Sequence, residues 1–216
     1  MLSLAFKGLD ETQTVLCLGA HSDDIEIGCG GALQRIAREY PGVRVIWAVF
    51  AGDEARVHES YAGARMLLGE DGKLAVRHFN FRESYFPSQF ALIKDVFESL
   101  KQSVLPGIVF SHRLEDRHQD HRVLAELTWN TFRSSIILEY EIPKYEGDLG
   151  QPNLFVPLSD SDLSHKVATL MKCYPSQKTR SWFTPETFTS LARLRGVECA
   201  SPSGYAEAFH AKKLMV

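Results

Sequence analysis

Short apolar runs alternate with longer amphipathic segments along the first two thirds of the chain. The runs are rich in β-branched and aromatic residues, which is typical of buried strands. They predict five strands, at 14–19, 43–50, 76–81, 107–111 and 136–140. In two of the intervening segments, 31–40 and 89–101, apolar residues recur every three or four positions, and this spacing predicts helices.

Strands that alternate with helices predict an α/β fold, with a Rossmann-like, mostly parallel sheet and helices on both faces. We expect a single domain over 1–216, because this length suffices for one sizeable core and no internal repeat divides it. The stretch 145–153 is rich in glycine, proline and charge and is predicted to be a long loop. The C-terminal third is predicted to be helical, without a second core.

Composition and charge argue against several classes of function. The chain is 44% hydrophobic and 24% charged, with a formal net charge of −3, which is ordinary for a soluble globular protein. Its basic residues are dispersed, so no nucleic-acid partner is expected. No apolar stretch approaches the roughly 20 residues that cross a bilayer. The N-terminus lacks a signal-like pattern, so a cytoplasmic location is expected. The four cysteines have neither metal-knuckle spacing nor the density of a disulfide scaffold.

Two short polar segments carry the candidate chemistry. Segment 20–24 reads Ala-His-Ser-Asp-Asp and segment 118–121 reads His-Gln-Asp-His, and they follow the first and fourth predicted strands. Parallel strands can bring both segments to one sheet edge. Two imidazoles and one carboxylate around a divalent ion leave a coordination position open for water, as a hydrolytic site requires. Asp23 and Asp24 can divide the roles of general base and ligand, although paired carboxylates before a helix are also typical N-terminal caps.

These residues resemble the motifs of the PIG-L/LmbE-like zinc deacetylases, which remove acetyl groups from N-acetylated sugars. The first motif of that family, His-Pro-Asp-Asp followed by an acidic residue and a glycine-rich helix start, is similar to 21–31, and His-x-Asp-His is matched by 118–121. Later similar stretches are 141–144, 152–156, 166–177 and 205–209. The resemblance covers nearly the whole chain. The main departure is Ser22 in place of proline, which would fix φ and stiffen the loop.

The resemblance implies a metal site and a base. His21, Asp24 and His121 would be the metal ligands and Asp23 the general base. Adjacent side chains usually point in different directions, so Asp24 can bind the metal while Asp23 faces the reacting water. Zn²⁺ is the expected ion, and Fe²⁺ or Co²⁺ would suit the same ligands.

The resemblance also implies a catalytic histidine, His118, with Asp120 as its carboxylate partner. A carboxylate orients an imidazole and stabilises its protonated form, which suits a general acid for the departing amine. The alternative is that both residues are outer groups that orient the metal ligands. His112 and Asp116 lie near the second motif, within a polar stretch that could be a lid, and are not predicted to be ligands.

Substrate contacts are predicted for Arg56 and Glu59, which follow the second strand, and for Glu141, which follows the fifth. The alternative for the first two is that they only solvate the start of a helix. The remaining histidines lack a partnered motif and are predicted to be structural or on the surface: His58, His78, His165 and His210.

The expected function is that of a metal-dependent hydrolase that removes the N-acetyl group from an N-acetylamino sugar, with metal-bound water as the nucleophile. The acceptor could be part of a glycolipid, nucleotide sugar, glycosyl thiol or antibiotic precursor, so the expected partner is a small N-acetylated sugar. The alternatives are an amidase acting on another sugar conjugate and a non-catalytic sugar- or metal-binding module. Acceptor, physiological metal and oligomeric state do not follow from the sequence.

Overall fold

The computed structural model describes residues 14–70 and 72–214. The N-terminal segment on which the signal-sequence prediction rests lies outside these residues. The described residues form a sheet of seven strands: β1 (Thr14–Gly19), β2 (Arg44–Ala51), β3 (Leu74–Phe81), β4 (Pro106–Ser111), β5 (Ile136–Tyr140), β6 (Leu154–Pro157) and β7 (Ala206–Ala211). Their order is β3-β2-β1-β4-β5-β7-β6. Strands β1 to β5 pair in parallel, and β7 pairs antiparallel with β5 and β6. The predicted mostly parallel sheet is confirmed.

Helices cover both faces of the sheet, as predicted. They are α1 (Asp24–Glu39), α2 (Glu54–Leu68), α3 (Phe90–Ser103), α4 (Gln119–Thr131), α5 (Asp160–Cys173) and α6 (Pro185–Glu198). Helices α1, α2, α5 and α6 pack on one face, and α3 and α4 pack on the other. Among the described residues, no helix is both long and apolar enough to cross a membrane.

The central strand β1 is buried on both sides. Val15 and Cys17 point into the core beneath α1, whereas Leu16 and Leu18 point into the core beneath α3 and α4. None of the four side chains is exposed. Burial on both faces explains why this strand is continuously apolar instead of alternating.

The C-terminal third differs from its prediction. It contains α5 and α6, but 154–157 and 206–211 form strands β6 and β7, of which β6 lies at the edge of the sheet. These runs are short, and β7 interrupts its apolar residues with a glutamate and a histidine, so their strand character depends on pairing. Strand β7 pairs with β5, and β6 pairs with β7. No separate core forms there, because Leu163, Phe188 and Phe209 join the core beneath α1. The predicted loop 145–153 contains no helix or strand.

Helix α1 begins earlier than the sequence predicts and is broken near its start. Cys29 has non-helical backbone angles, φ −145° and ψ 15°. The Lys166 ammonium donates to the Ile27 carbonyl at 2.7 Å, and the Glu207 carboxylate accepts from the backbone N–H groups at 31–32 at 2.8 and 2.7 Å. Lys166 and Glu207 also pair with each other at 2.6 Å. This ion pair therefore satisfies the backbone groups that the break leaves unpaired.

Candidate active site

The site lies at the carboxyl ends of β1 and β4, two neighbouring parallel strands. From β1 the sheet continues through β2 on one side, and from β4 it continues through β5 on the other. This is the point where the strand order reverses, and open α/β sheets bind ligands in the crevice there. The two predicted segments, 20–24 and 118–121, meet in this crevice.

His21, Asp24 and His121 come together with their nitrogen and oxygen atoms facing one another. His21 Nδ1 lies 3.2 Å from His121 Nε2 and 3.4 Å from Asp24 Oδ2, and His121 Nε2 lies 3.6 Å from Asp24 Oδ1. All three residues are buried. A tetrahedral ion bound at about 2.0–2.1 Å holds its ligand atoms roughly 3.3 Å apart. The chemistry and spacing of these donors therefore fit Zn²⁺ or a similar divalent ion.

Two further histidines border this triad. His118 could form a second donor group with His21 and His121, and His112 could form a third with Asp24 and His121. However, His112 Nε2 already accepts the Ala20 N–H at 3.0 Å. That bond occupies the nitrogen lone pair nearest the triad, so the predicted set is chemically preferable to the one containing His112.

Asp116 orients His121. Its Oδ2 accepts from His121 Nδ1 at 2.9 Å and from the Lys144 ammonium at 3.1 Å, and its Oδ1 accepts from the His118 backbone N–H at 2.7 Å. Burial raises the pKa of Asp116, but the hydrogen bond from His121 and the charge of Lys144 lower it by more. The pKa of Asp116 therefore lies well below its usual range. The ionised carboxylate holds the proton on Nδ1 and leaves Nε2 of His121 free to bind a metal.

Asp120 orients His21 in the same way, and not His118. The Asp120 carboxylate lies 3.3 Å from His21 Nε2 and accepts from the backbone N–H groups of Ser84 and Phe86 at 2.6 and 3.1 Å. Among the residues that the structure describes, the hydrogen bond to the His118 ring comes from the Asp120 backbone N–H, at 3.3 Å on Nδ1, because His118 caps the N-terminus of α4. The carboxylate partnership that the resemblance implied for His118 is thus corrected. Backbone direction at the start of α4 separates the two side chains.

The neighbouring carboxyl groups of Asp23 and Asp24 differ in acidity. Burial raises the pKa of Asp23 to about 6, against the lowering effect of Arg56, whose Nη2 donates to Asp23 Oδ1 at 2.8 Å. Burial also raises the pKa of Asp24, but the surrounding imidazoles, with His121 the strongest, hold it well below its usual range. Environments that push two carboxyl pKa values apart allow one group to stay ionised while the other exchanges protons.

The ligand histidines are also perturbed in opposite directions. Burial lowers the pKa of His21, but the charge of Asp24 and the hydrogen bonds to Asp120 and Asp24 outweigh it and raise the pKa to about 10. Burial lowers the pKa of His121 to about 3. Without another cation, the carboxylates of this crevice therefore hold a proton on His21.

Of the three predicted substrate contacts, only Arg56 lies at the crevice. Glu59 accepts from the backbone N–H and hydroxyl of Ser176 at 2.8 and 2.6 Å, and Glu141 pairs with the Arg195 guanidinium at 2.6 and 2.8 Å. Both glutamates are buried and have both oxygens engaged in these bonds, so contact of either with substrate stays a prediction. Their partners come from the C-terminal region and could not be identified from local sequence.

The sequence reasoning missed Asp116 and Lys144. The sequence did carry a signal for Asp116, since it lies five residues before His121, in the loop that leads into α4, and an aspartate so near a predicted ligand is a candidate histidine partner. Lys144 had none, because its contact with Asp116 depends on the fold of the loop 141–153.

The crevice at the strand-order reversal contains two imidazoles oriented by carboxylates, a candidate carboxylate ligand and a further carboxylate beside it. This arrangement is that of an α/β protein with a candidate metal-dependent hydrolytic site. Comparison with known families agrees with this class. The family model PIG-L, described as GlcNAc-PI de-N-acetylase, matches residues 16–132. The chain belongs to this deacetylase family.

The individual relatives share between 20% and 27% of their residues with this chain. A protein from Escherichia coli K12 named as the uncharacterized deacetylase YaiS is 27% identical over 180 residues, which cover 79% of this chain and 95% of that protein. The structure resembles GalB, the 4-carboxy-2-hydroxymuconate hydratase of Pseudomonas putida KT2440, with a TM-score of 0.76, 20% identity and coverage of 95% and 98%. It also resembles the N,N′-diacetylchitobiose deacetylase of Pyrococcus horikoshii, with a TM-score of 0.67, 22% identity and coverage of 92% and 83%. These structural similarities show a shared fold, and a fold alone does not define the reaction.

Proposed function

We propose that this protein is a metal-dependent hydrolase that removes the N-acetyl group from an N-acetylamino sugar or its conjugate. The observation that carries the proposal is the triad of His21, Asp24 and His121 with the unligated carboxyl of Asp23 beside it. Membership of the PIG-L family and the named activity of the chitobiose deacetylase support the same chemistry.

The residues present fit a divalent ion, either Zn²⁺ or a similar ion such as Fe²⁺ or Co²⁺. His21 Nδ1, His121 Nε2 and an oxygen of Asp24 would hold it. Such an ion, when bound, polarises a carbonyl oxygen and lowers the pKa of coordinated water. Asp120 and Asp116 hold the protons on the outer nitrogens of the two imidazoles, so that the inner nitrogens face the ion.

Asp23 acts as the general base in this proposal. Its pKa of about 6 leaves it ionised at neutral pH and close enough to the operating pH for efficient proton transfer. Arg56 engages one carboxylate oxygen, Oδ1, and fixes the plane of the group. The other oxygen can take the proton of the attacking water.

His118 acts as the general acid toward the departing amine. Its Nδ1 accepts the Asp120 backbone N–H, so Nε2 is the nitrogen left for proton transfer. The acid form is the imidazolium, which donates its Nε2 proton to the amine and becomes the neutral ring. Burial lowers the pKa of His118 and so makes that form a stronger acid. The ring stands edge-on to His21, with centroids 4.9 Å apart, and it is only partly buried. The other role, support of the ligand geometry, is distinguishable: a His118→Ala variant that keeps its metal and full turnover would exclude the acid role.

The decisive experiment measures acetate release by zinc-loaded protein from a panel of N-acetylated sugars, nucleotide sugars and glycosides. Asp23→Asn should keep its zinc content and lose about 10² to 10⁴ in rate, because the base is removed while the ligands remain. Asp95→Asn, the same chemical change at an exposed position on α3, is the matched control and should be unaffected. Unchanged turnover in Asp23→Asn would contradict the assignment.

Adding other N-acyl derivatives of the same sugars to the panel, with release of the amine measured, separates the alternatives. An amidase for another sugar conjugate would release amine from a different acyl derivative but no acetate. A non-catalytic binding module would bind zinc or sugar without turnover of any member. The presence of both a candidate base and a candidate acid favours catalysis, since binding a sugar requires neither.

A further inference from the structure

The proposed ligands His21 and Asp24 and the proposed base Asp23 lie on one four-residue turn, 21–24. The Asp24 backbone N–H donates to the His21 carbonyl at 3.4 Å, so Ser22 and Asp23 occupy the two central positions. Asp23 has φ −101° and ψ −9°, close to the third position of a type I turn. Proline is favoured at the second position of such a turn, because its ring fixes φ. This chain has serine there, so the turn needs another source of rigidity.

A buried tyrosine hydroxyl contacts the middle of this turn. The Tyr174 hydroxyl donates to the Ser22 carbonyl at 2.9 Å. Neither residue has exposed surface, so bulk water does not reach the bond. Among the described residues, this hydroxyl is the hydrogen-bond partner of the Ser22 carbonyl. Because a peptide group is planar, holding the Ser22 carbonyl oxygen also holds the backbone of Asp23.

The Tyr174 hydroxyl has a second polar contact, with Glu26 Oε1. A phenol hydroxyl has one proton to donate and can also accept a hydrogen bond. Burial raises the pKa of Glu26 well above its usual range, so this carboxyl has a proton that it can donate to the Tyr174 oxygen. The proton of Tyr174 is then available to the Ser22 carbonyl, and both contacts are hydrogen bonds.

The segment that carries Tyr174 is anchored on the neighbouring helices. Tyr174 directly follows α5, and Ser176 donates to Glu59 of α2 through its backbone N–H at 2.8 Å and its hydroxyl at 2.6 Å. Gly63 of α2 leaves room for the tyrosine, since a Cβ atom there would lie 2.5 Å from the hydroxyl oxygen. Helices α2 and α5 therefore present this hydroxyl to the turn at a fixed position.

We propose that Tyr174 is a positioning residue, which holds the turn 21–24 through the Ser22 carbonyl and thereby sets the direction of the Asp23 carboxyl. The proposal rests on the deacetylase function proposed above. Within the described part of the chain, no hydrogen bond joins the Tyr174 side chain to His21, Asp23 or Asp24. Its effect on the site therefore passes through the backbone of the turn.

The test removes the hydroxyl and keeps the ring. Tyr174→Phe should lower kcat by about 10- to 100-fold and leave KM nearly unchanged, because a base misplaced by 1 Å or less is costly while the substrate contacts remain. Its Kd for zinc should rise about 10-fold, as measured by competition with a chromophoric chelator. Tyr61→Phe is the matched control and should change neither quantity, since the Tyr61 hydroxyl donates to the Val76 carbonyl at 3.4 Å, outside the turn.

A second substitution separates positioning from stability. Ser22→Pro, added to Tyr174→Phe, fixes φ at the second position of the turn. The Ser22 N–H has no acceptor among the residues that the structure describes, so proline removes no hydrogen bond there. The double variant should regain most of kcat and of the zinc affinity. It should not regain stability in urea unfolding, because the carbonyl at position 22 still lacks its partner. If Tyr174 were only structural, proline would restore none of these quantities.

Two outcomes overturn the proposal: unchanged kcat and zinc Kd in Tyr174→Phe, or losses that Ser22→Pro does not restore. If the double variant does not fold, the absorption spectrum of Co²⁺-loaded Tyr174→Phe decides, and a spectrum identical to that of the wild-type protein refutes a displaced turn. The zinc Kd and the spectrum need no substrate. Absence of turnover on every glycoside would therefore count against the proposed function, while these two measurements still test the role of Tyr174.

Discussion

Two groups of buried charged side chains in this molecule differ in the balance between positive and negative charge. The first, the site cluster, contains four buried carboxylates and the two cations that contact them: Asp23, Asp24, Asp116 and Asp120 with Arg56 and Lys144. The second, the back cluster, contains two ion pairs: Lys166 with Glu207 and Arg195 with Glu141. The back cluster supplies its own counter-charges, whereas the site cluster is short of positive charge.

This difference separates structural carboxylates from candidate functional ones. In the back cluster, the closest approaches of both pairs are 2.6 Å, and the Lys166 pair also satisfies the break in α1. In the site cluster, the deficit is large enough to raise the pKa of His21 to about 10. A divalent ion would remove that deficit. Burial of a carboxylate is therefore uninformative by itself, and the missing counter-charge is what indicates a cation site.

The largest effect is expected on stability, from removing one partner of an ion pair in the back cluster. Glu207→Ala should leave Lys166 as an uncompensated buried charge and strip the acceptor from the second segment of α1. Removing one partner of a buried pair typically costs about 3–5 kcal/mol in the free energy of unfolding. Urea unfolding of the metal-free protein measures it.

The double variant Lys166→Met/Glu207→Leu is the control for that prediction. It removes both charges together, so it should be less destabilised than the single variant. If Glu207→Ala lost no more free energy of unfolding than an ordinary surface substitution does, the Lys166–Glu207 pair would contribute little to stability. The contrast between the two clusters would then fail.

A smaller effect is expected within the site cluster from Asp116→Asn. The variant weakens the acceptor for His121 Nδ1–H, and loss of such an outer partner typically raises the Kd for metal about 10- to 100-fold. Competition with a chromophoric zinc chelator gives the Kd. Asp148→Asn is the matched control, since Asp148 contacts Lys144 at 2.7 Å and does not contact the proposed ligands. Equal changes in both variants would mean that loop packing, and not the orientation of His121, sets the affinity.

The smallest effect is expected on the pH dependence of stability and concerns His210 on β7. The pKa of His210 is shifted downward, whereas that of His21 is shifted upward. Burial, assisted by the charge of Arg113, lowers the pKa of His210 to about 4. In the unfolded chain the value is about 6.5. Between these two pH values, His210 is protonated in the unfolded state and neutral in the folded state. The free energy of unfolding should therefore fall as the pH falls from about 6.5 to 4.

Replacing His210 isolates this contribution. His210→Gln should lose less stability than the wild-type protein between pH 7 and pH 5, as measured by urea unfolding of both metal-free proteins. His210→Asn should behave in the same way. An unchanged loss of stability in both variants would contradict the assignment of this acid sensitivity to His210.

Much of the fold could be predicted because its central strands are buried on both faces. The observed bounds of β1 and β5 coincide with the predicted ones, since short runs that are mostly apolar have few other stable environments. Strands β6 and β7 could not be predicted in this way. They are short, partly polar and stabilised by pairing with strands that lie far away in the sequence.

The sequence by itself determined which residues could form the site. The segments 20–24 and 118–121 follow parallel strands, so their histidines and aspartates had to meet at one edge of the sheet. Only the tertiary structure decided what each side chain does there. It assigned Asp120 to His21, engaged Glu59 and Glu141 elsewhere, and brought Lys144 to Asp116. The physical reason is that a sequence specifies charges and donors, whereas burial and long-range contacts decide which of them remain without a partner.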